Sequence, residues 1–86
     1  SNAMEWQDDG IILGVRQHGE HAAIVQVLTA EHGRSAGYVR GATAKTVKPI
    51  LQTGNHVTIV WQGRLAEQLG FFTFEMLTPF AARLLA

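Results

Sequence analysis

Apolar and polar residues alternate in five short runs, each bounded by a turn signal, and that rhythm points to a small barrel or sandwich rather than a helical bundle. In Gly10 to Gln17, Ile11, Leu13 and Val15 alternate with Ile12, Gly14 and Arg16, which predicts a half-buried strand. His18-Gly19-Glu20-His21 turns the chain into a second strand, Ala22 to Thr29, with Val25 and Val27 on one face and Gln26 on the other. Ala30-Glu31-His32-Gly33 turns it again into a third strand, Arg34 to Arg40, with Gly33 suited to a positive φ. Gly41 to Thr46 is small and polar and reads as a loop without core anchors, and Lys48-Pro49-Ile50-Leu51 as a connector. His56 to Gln62 is the fourth strand, with Val57, Ile59 and Trp61 on one face; this predicts burial of Trp61, a rim position being the alternative. Phe71 to Thr78 is the fifth, with Phe72, Phe74 and Met76 sharing a face.

The expected fold is therefore all-β: a five-stranded, partly open Greek-key barrel of the oligonucleotide/oligosaccharide-binding (OB) type, with an SH3-like barrel as the nearest competitor. The expected inward set is Ile11, Leu13, Val15, Val25, Val27, Val39, Val57, Ile59, Phe72, Phe74 and Met76. An 86-residue chain has room for one such core. Ser1-Asn2-Ala3 before Met4 reads as an expression-tag scar, residues 4–80 as the OB domain, and residues 81–86, following Pro79, as the start of a truncated C-terminal helix.

Composition removes several functions. The chain has no cysteine, so disulfides, thiolate chemistry and zinc-thiolate sites are excluded within it. Its longest apolar runs, Gly10 to Val15 and Ala22 to Leu28, are far shorter than a membrane-spanning helix, and no signal peptide follows Met4, which predicts a soluble, cytoplasmic protein. Apart from Ser1, Ser35 is the only serine, and no nucleophile, base and orienting group can be assembled, so no enzymatic activity and no cofactor are expected. His18 and His21 flank a turn without a further ligand nearby, so no metal site is expected. Asp8 and Asp9 point to opposite sides of a strand and read as turn or surface residues.

Charge is where a function shows. The net charge is zero, yet residues 1–31 sum to −4, with Glu5, Asp8 and Asp9 at the N-terminal end. Residues 32–66 sum to +5 and contain Arg34, Arg40, Lys45, Lys48 and Arg64 without one acid. Clustered cations suit phosphates, although a solvated surface has the same composition. On the third strand, Arg34, Ala36, Tyr38 and Arg40 share one face by the period of two. Two guanidinium groups flanking an aromatic ring make a stripe suited to single-stranded nucleic acid, where cations meet phosphates and the ring stacks a base. The alternative is that Tyr38 packs inward with its hydroxyl at the rim.

The series Asp9-Gly10-Ile11-Ile12-Leu13, Gly19-Glu20, Ile24 to Thr29, His32-Gly33-Arg34 and Arg40-Gly41-Ala42, in that order, resembles the N-terminal OB domain of the bacterial RecO family. The resemblance covers nearly everything from Met4 onward. It implies binding of single- and double-stranded DNA, annealing of complementary strands, interaction with RecR and with single-stranded-DNA-binding protein, and help in loading RecA during repair. Carried over by position, the family's basic loop falls on Arg40 to Thr46. This sequence departs from the pattern there, since Thr43 and Ala44 stand where cations are common, leaving Lys45 and Lys48. The DNA-contacting set is thus expected to be Arg34, Arg40, Lys45, Lys48 and Arg64 on phosphates, with Tyr38 stacking. The rival expectation is a barrel that docks a protein partner and binds little DNA.

Overall fold

The computed structural model describes residues 3–77. Five strands follow one another: β1 Met4–His18, β2 Ala22–Thr29, β3 Arg34–Val39, β4 His56–Gly63 and β5 Gly70–Met76. Their spatial order is β1-β2-β3-β5-β4, and β4 pairs back onto β1. One long strand makes this possible. The first half of β1, Met4 to Ile11, pairs with β4, and its second half, Gly10 to His18, pairs with β2. Every neighbouring pair is antiparallel except β3 and β5, which run parallel and share only Gly37↔Gly70 and Tyr38↔Phe71.

The expected partly open Greek-key barrel with a C-terminal helix is corrected on these points. The structure is an all-β, five-stranded sheet of OB-like topology, and the short β3–β5 contact closes it rather than leaving it open. The helix start expected after Pro79 lies outside the described residues. No helix among the described residues is long and apolar enough to cross a membrane.

The core is built from Ile12, Ala23, Val25, Val27, Val39, Leu51, Val57, Ile59, Trp61 and Phe72. The alternation in β2 and β4 is obeyed, and Trp61 is only 2% exposed. The expected phase of β1 is not. Ile11 and Leu13 face outward, and Ile12, not assigned to the core, is fully buried. Gly10 precedes it on the inner side, where a Cβ would stand 2.7 Å from the carbonyl oxygen of Leu28 and 2.8 Å from Cδ1 of Ile59. A bulge between Ile12 and Gly14 then shifts the register. Val15 consequently lies opposite Val25 but is 40% exposed near the strand end, and Met76, also expected inside, is 49% exposed.

The connection after β3 does more than a loop without anchors would. Gly41 to Leu51 winds through short turns, its Ala42, Val47 and Ile50 pack against the core, and Leu51 belongs to it. The amide of Ala42 donates to the carbonyl of His21, tying this connection to the β1–β2 turn.

Asp8 is the other departure. It lies on the inner side of β1 with its side chain 3% exposed, while Asp9 is exposed on the other side. Its carboxylate accepts hydrogen bonds from the amides of Asp9 (2.7 Å), Glu31 (2.9 Å) and His32 (3.1 Å), and from Nδ1 of His32 at 2.7 Å. The His32 ring lies flat on Trp6, with centroids 4.0 Å apart and planes 8° apart, and Trp6 stacks in turn on Trp61. The β2–β3 turn is thereby pinned to β1, which fixes where β3 begins.

Candidate nucleic-acid interface

The period of two puts Arg34, Ala36, Tyr38 and Arg40 on the outer side of β3, with Gly37 and Val39 buried. Strand register extends this side into a row across the sheet: Arg16, Ile24, Tyr38, Phe71, Gln62 and Glu5 stand opposite one another on β1, β2, β3, β5, β4 and again β1. Tyr38 is half-buried in this row rather than in the core. Its ring lies 5.1 Å from that of His18 and 5.8 Å from that of Phe71.

Arg40 follows β3 in the turn, and its guanidinium carbon sits 3.7 Å from the centroid of the Phe71 ring. Such a cation over an aromatic face holds the guanidinium in place while its donors stay available to an anion. Arg64, on the β4–β5 connection, joins them: Arg40, Arg64, Gln62 and Phe71 line a cleft of about 360 Å³. A narrower cleft of about 140 Å³ opens between Arg40 and Phe71 on one side and Val47 and Ile50 on the other.

Of the expected DNA-contacting residues, the structure therefore brings Tyr38, Arg40 and Arg64 together. Lys45 and Lys48 are exposed on the connection that starts at Gly41, Lys48 beside Thr43, Gln52 and the end of β1. Arg34 begins β3, six residues before Arg40 and so about 20 Å from it at the rise of an extended strand. Its Nη2 donates to Oε1 of Gln26 at 3.2 Å. The five cations do not form a single cluster.

Two residues change the electrostatic picture read from the sequence. Phe71, 37% exposed, was absent from the expected site, although an aromatic on the polar side of β5, in phase with Thr73 and Glu75, was a readable signal. Glu5, assigned to the acidic N-terminal third, lines the same cleft as Arg40 and Arg64 and accepts a hydrogen bond from Nε2 of Gln62 at 2.8 Å. The cleft is thus cationic with an acid at its edge. Among the described residues no three His, Asp or Glu side chains come together as a metal site.

Within this group Tyr38 stands on β3, part of the strand 2 and 3 face by which OB domains carry oligonucleotides, and Arg64 on the bordering β4–β5 connection, whereas Phe71 is on β5 and Arg40 follows β3. Residues 4–80 match the family model described as "Recombination protein O N terminal". The chain is 53% identical over 83 residues to the DNA repair protein RecO of Bradyrhizobium sp. (strain ORS 278), covering 96% of this chain and 34% of that protein. It is 54% identical over 82 residues to the DNA repair protein RecO of Brucella abortus (strain 2308), covering 95% of this chain and 33% of that protein. The match to RecO of Rhodopseudomonas palustris (strain BisB18) is 53% over 83 residues, 96% of this chain and 33% of that protein. No solved structure matches the chain. The chain spans about a third of the length of these curated relatives. With the family model covering nearly all of its length and more than half of its residues shared with these relatives, the chain belongs to the RecO N-terminal family.

Proposed function

We propose that this chain is the non-catalytic DNA-binding module of a RecO-type recombination mediator, acting in repair through single-strand binding, strand annealing and support of RecA loading. One observation carries the reading: the Arg40 guanidinium rests on Phe71 beside Tyr38, with Arg64 sharing the cleft. Rings offer a base a stacking surface regardless of sequence, and guanidinium groups take the flanking phosphates. Lys45 and Lys48 extend the cationic path along the Gly41–Leu51 connection, and Arg34 lies at the far end of β3. Double-stranded DNA, RecR and single-stranded-DNA-binding protein are the further partners that family membership suggests, in a cytoplasmic setting.

A salt titration with a labelled oligothymidylate tests this. Log affinity is expected to fall by roughly 0.7 per neutralised phosphate for each tenfold rise in salt. Arg40→Ala, Arg64→Ala and Lys45→Ala should weaken binding and make that slope shallower. Tyr38→Ala and Phe71→Ala should each cost about 1–3 kcal/mol while leaving the slope nearly unchanged. Because Glu5 lines the cleft, Glu5→Gln should strengthen binding, and charge reversal at Glu75, which pairs with Thr58 instead, is the appropriate remote control. Arginine and aromatic variants that bind like the parent at moderate salt would move the DNA off this face.

A further inference from the structure

Beside the contact of Arg40 with Phe71 the sheet has an opening. We propose that the slot between Arg40 and Phe71 on one side and Val47 and Ile50 on the other captures one unpaired base of a single strand, and that its size selects a pyrimidine over a purine. The inference rests on the DNA-binding reading above and adds to it a pocket that tells one base from another.

The opening follows from how briefly β3 and β5 pair. Their last shared position is Tyr38↔Phe71; β3 ends at Val39 and Gly41, at a φ of 62°, turns the chain away, while β5 runs on from Phe72 to Met76. Past that point β5 has a strand partner only on the β4 side, and among the described residues no backbone hydrogen bond joins it to the Gly41–Leu51 connection. Side chains of the connection stand there instead. Short turns hold Val47 and Ile50 in place: the Val47 amide donates to the carbonyl of Ala44 at 3.0 Å, and the Ile50 amide to that of Val47 at 2.9 Å. Both side chains also pack against the core. The buried Phe72 and half-buried Phe74, with ring centroids 5.3 Å apart, line the inner end.

Size and charge name the occupant. The slot holds about 140 Å³, and an apolar cavity of about 150 Å³ takes a single benzene ring. One six-membered ring therefore fits, and a fused purine bicycle does not. Arg40, Gln62 and Phe71 line both this slot and the wider cleft that holds Arg64, so the two are continuous and cations border the mouth. A nucleotide joins one flat ring to one phosphate, which matches an apolar slot opening on arginines. A side chain of a protein partner would fill the same walls without a phosphate beside it. Gln62 spends an amide proton on Glu5 and keeps its carbonyl oxygen for a base edge, and Thr73 adds a hydroxyl. A base in a duplex is stacked on both faces and paired at its edge, so only an unpaired base enters without the cost of extrusion.

Fluorescence anisotropy with labelled abasic deoxyribose-phosphate strands, one carrying a single thymine, one a single adenine and one no base, tests the slot without stacking between neighbouring bases. The thymine strand should bind at least about fivefold more tightly than the abasic one, the low end of what one stacked base contributes. It should also outbind the adenine strand, whose base can only stack outside, on Tyr38. Val47→Phe fills the slot and should bring the thymine strand down to the adenine strand, while leaving the affinity and salt slope of the abasic strand unchanged. Val47→Ala widens the slot and should raise the adenine strand toward the thymine strand. A loss of folding cannot imitate that gain, so this variant decides the matter if the phenylalanine variant is unstable. Thymine and adenine strands that bind the parent equally, or a thymine advantage that survives Val47→Phe, would overturn the slot, and salt-dependent binding of the abasic strand would then leave the DNA-binding reading standing. Absent or salt-independent binding of all three strands would overturn both.

Discussion

Replacing Trp61 with alanine is expected to destabilise the fold by about 3–5 kcal/mol, the cost of emptying a large aromatic site in a core that can collapse only partly. That loss is comparable with the whole stability of a small domain, so the variant should be largely unfolded at physiological temperature. The ring is 2% exposed and stacks on Trp6 at 5.8 Å. It also lies against the backbone at Gly70, where a Cβ would fall 2.5 Å from the indole, so the sheet is shaped around it. Gly70 is in turn one of two β5 residues paired with β3, and losing Trp61 therefore weakens the contact that closes the sheet. Urea denaturation followed by circular dichroism measures the effect. Trp61→Phe should recover part of the loss, and an alanine variant that melts like the parent would place the indole outside the core.

Trp61 was legible because β4 is regular: Val57, Ile59 and Trp61 follow the period of two, with Val60 the one aliphatic residue out of phase. The same holds for Val25 and Val27 in β2 and for the outward stripe of β3. In β1 the apolar residues misled. Ile11, Leu13 and Val15 have the period of an inward face, but the true inner positions are Trp6, Asp8, Gly10 and Ile12, of which one is charged and one has no side chain. Periodicity cannot register a buried carboxylate whose compensation comes from a turn 23 residues away, nor a bulge that changes phase in mid-strand. The same limit applied to the site. The stripe Arg34, Tyr38, Arg40 was readable within one strand, whereas the contact of Arg40 with Phe71 and the place of Glu5 in the cleft depend on which strands are neighbours. The parallel β3–β5 contact and the return of β4 to β1 are long-range facts that no local pattern contains.

Exchanging the Asp8 carboxylate for an amide is not equivalent to removing a surface charge, and Asp8→Asn should cost about 2–4 kcal/mol at neutral pH, the scale for breaking a buried charged hydrogen-bond set. Burial alone would raise the pKa of this carboxyl. The hydrogen bond from His32, those from the amides of Glu31 and Asp9, and the charge of a protonated His32 outweigh it and lower the value from 3.8 to about 2. An ionised Asp8 can only accept, so the proton between the two side chains sits on Nδ1 of His32. The amide that replaces it keeps one acceptor but turns its NH2 toward donors. The sign of the pH dependence follows from the lowered pKa: the stabilisation is complete above about pH 4 and is lost as pH falls through about 2. Thermal melts of parent and Asp8→Asn from pH 7 to pH 2 should therefore converge, with the parent losing its advantage between about pH 4 and pH 2. A gap that stayed constant across that range would mean the carboxylate's charge does not stabilise the fold. Because Asp8 anchors the turn that precedes Arg34, Asp8→Asn should also loosen the start of β3, and amide exchange at Ser35 and Ala36 should accelerate more than at Ile59 in β4.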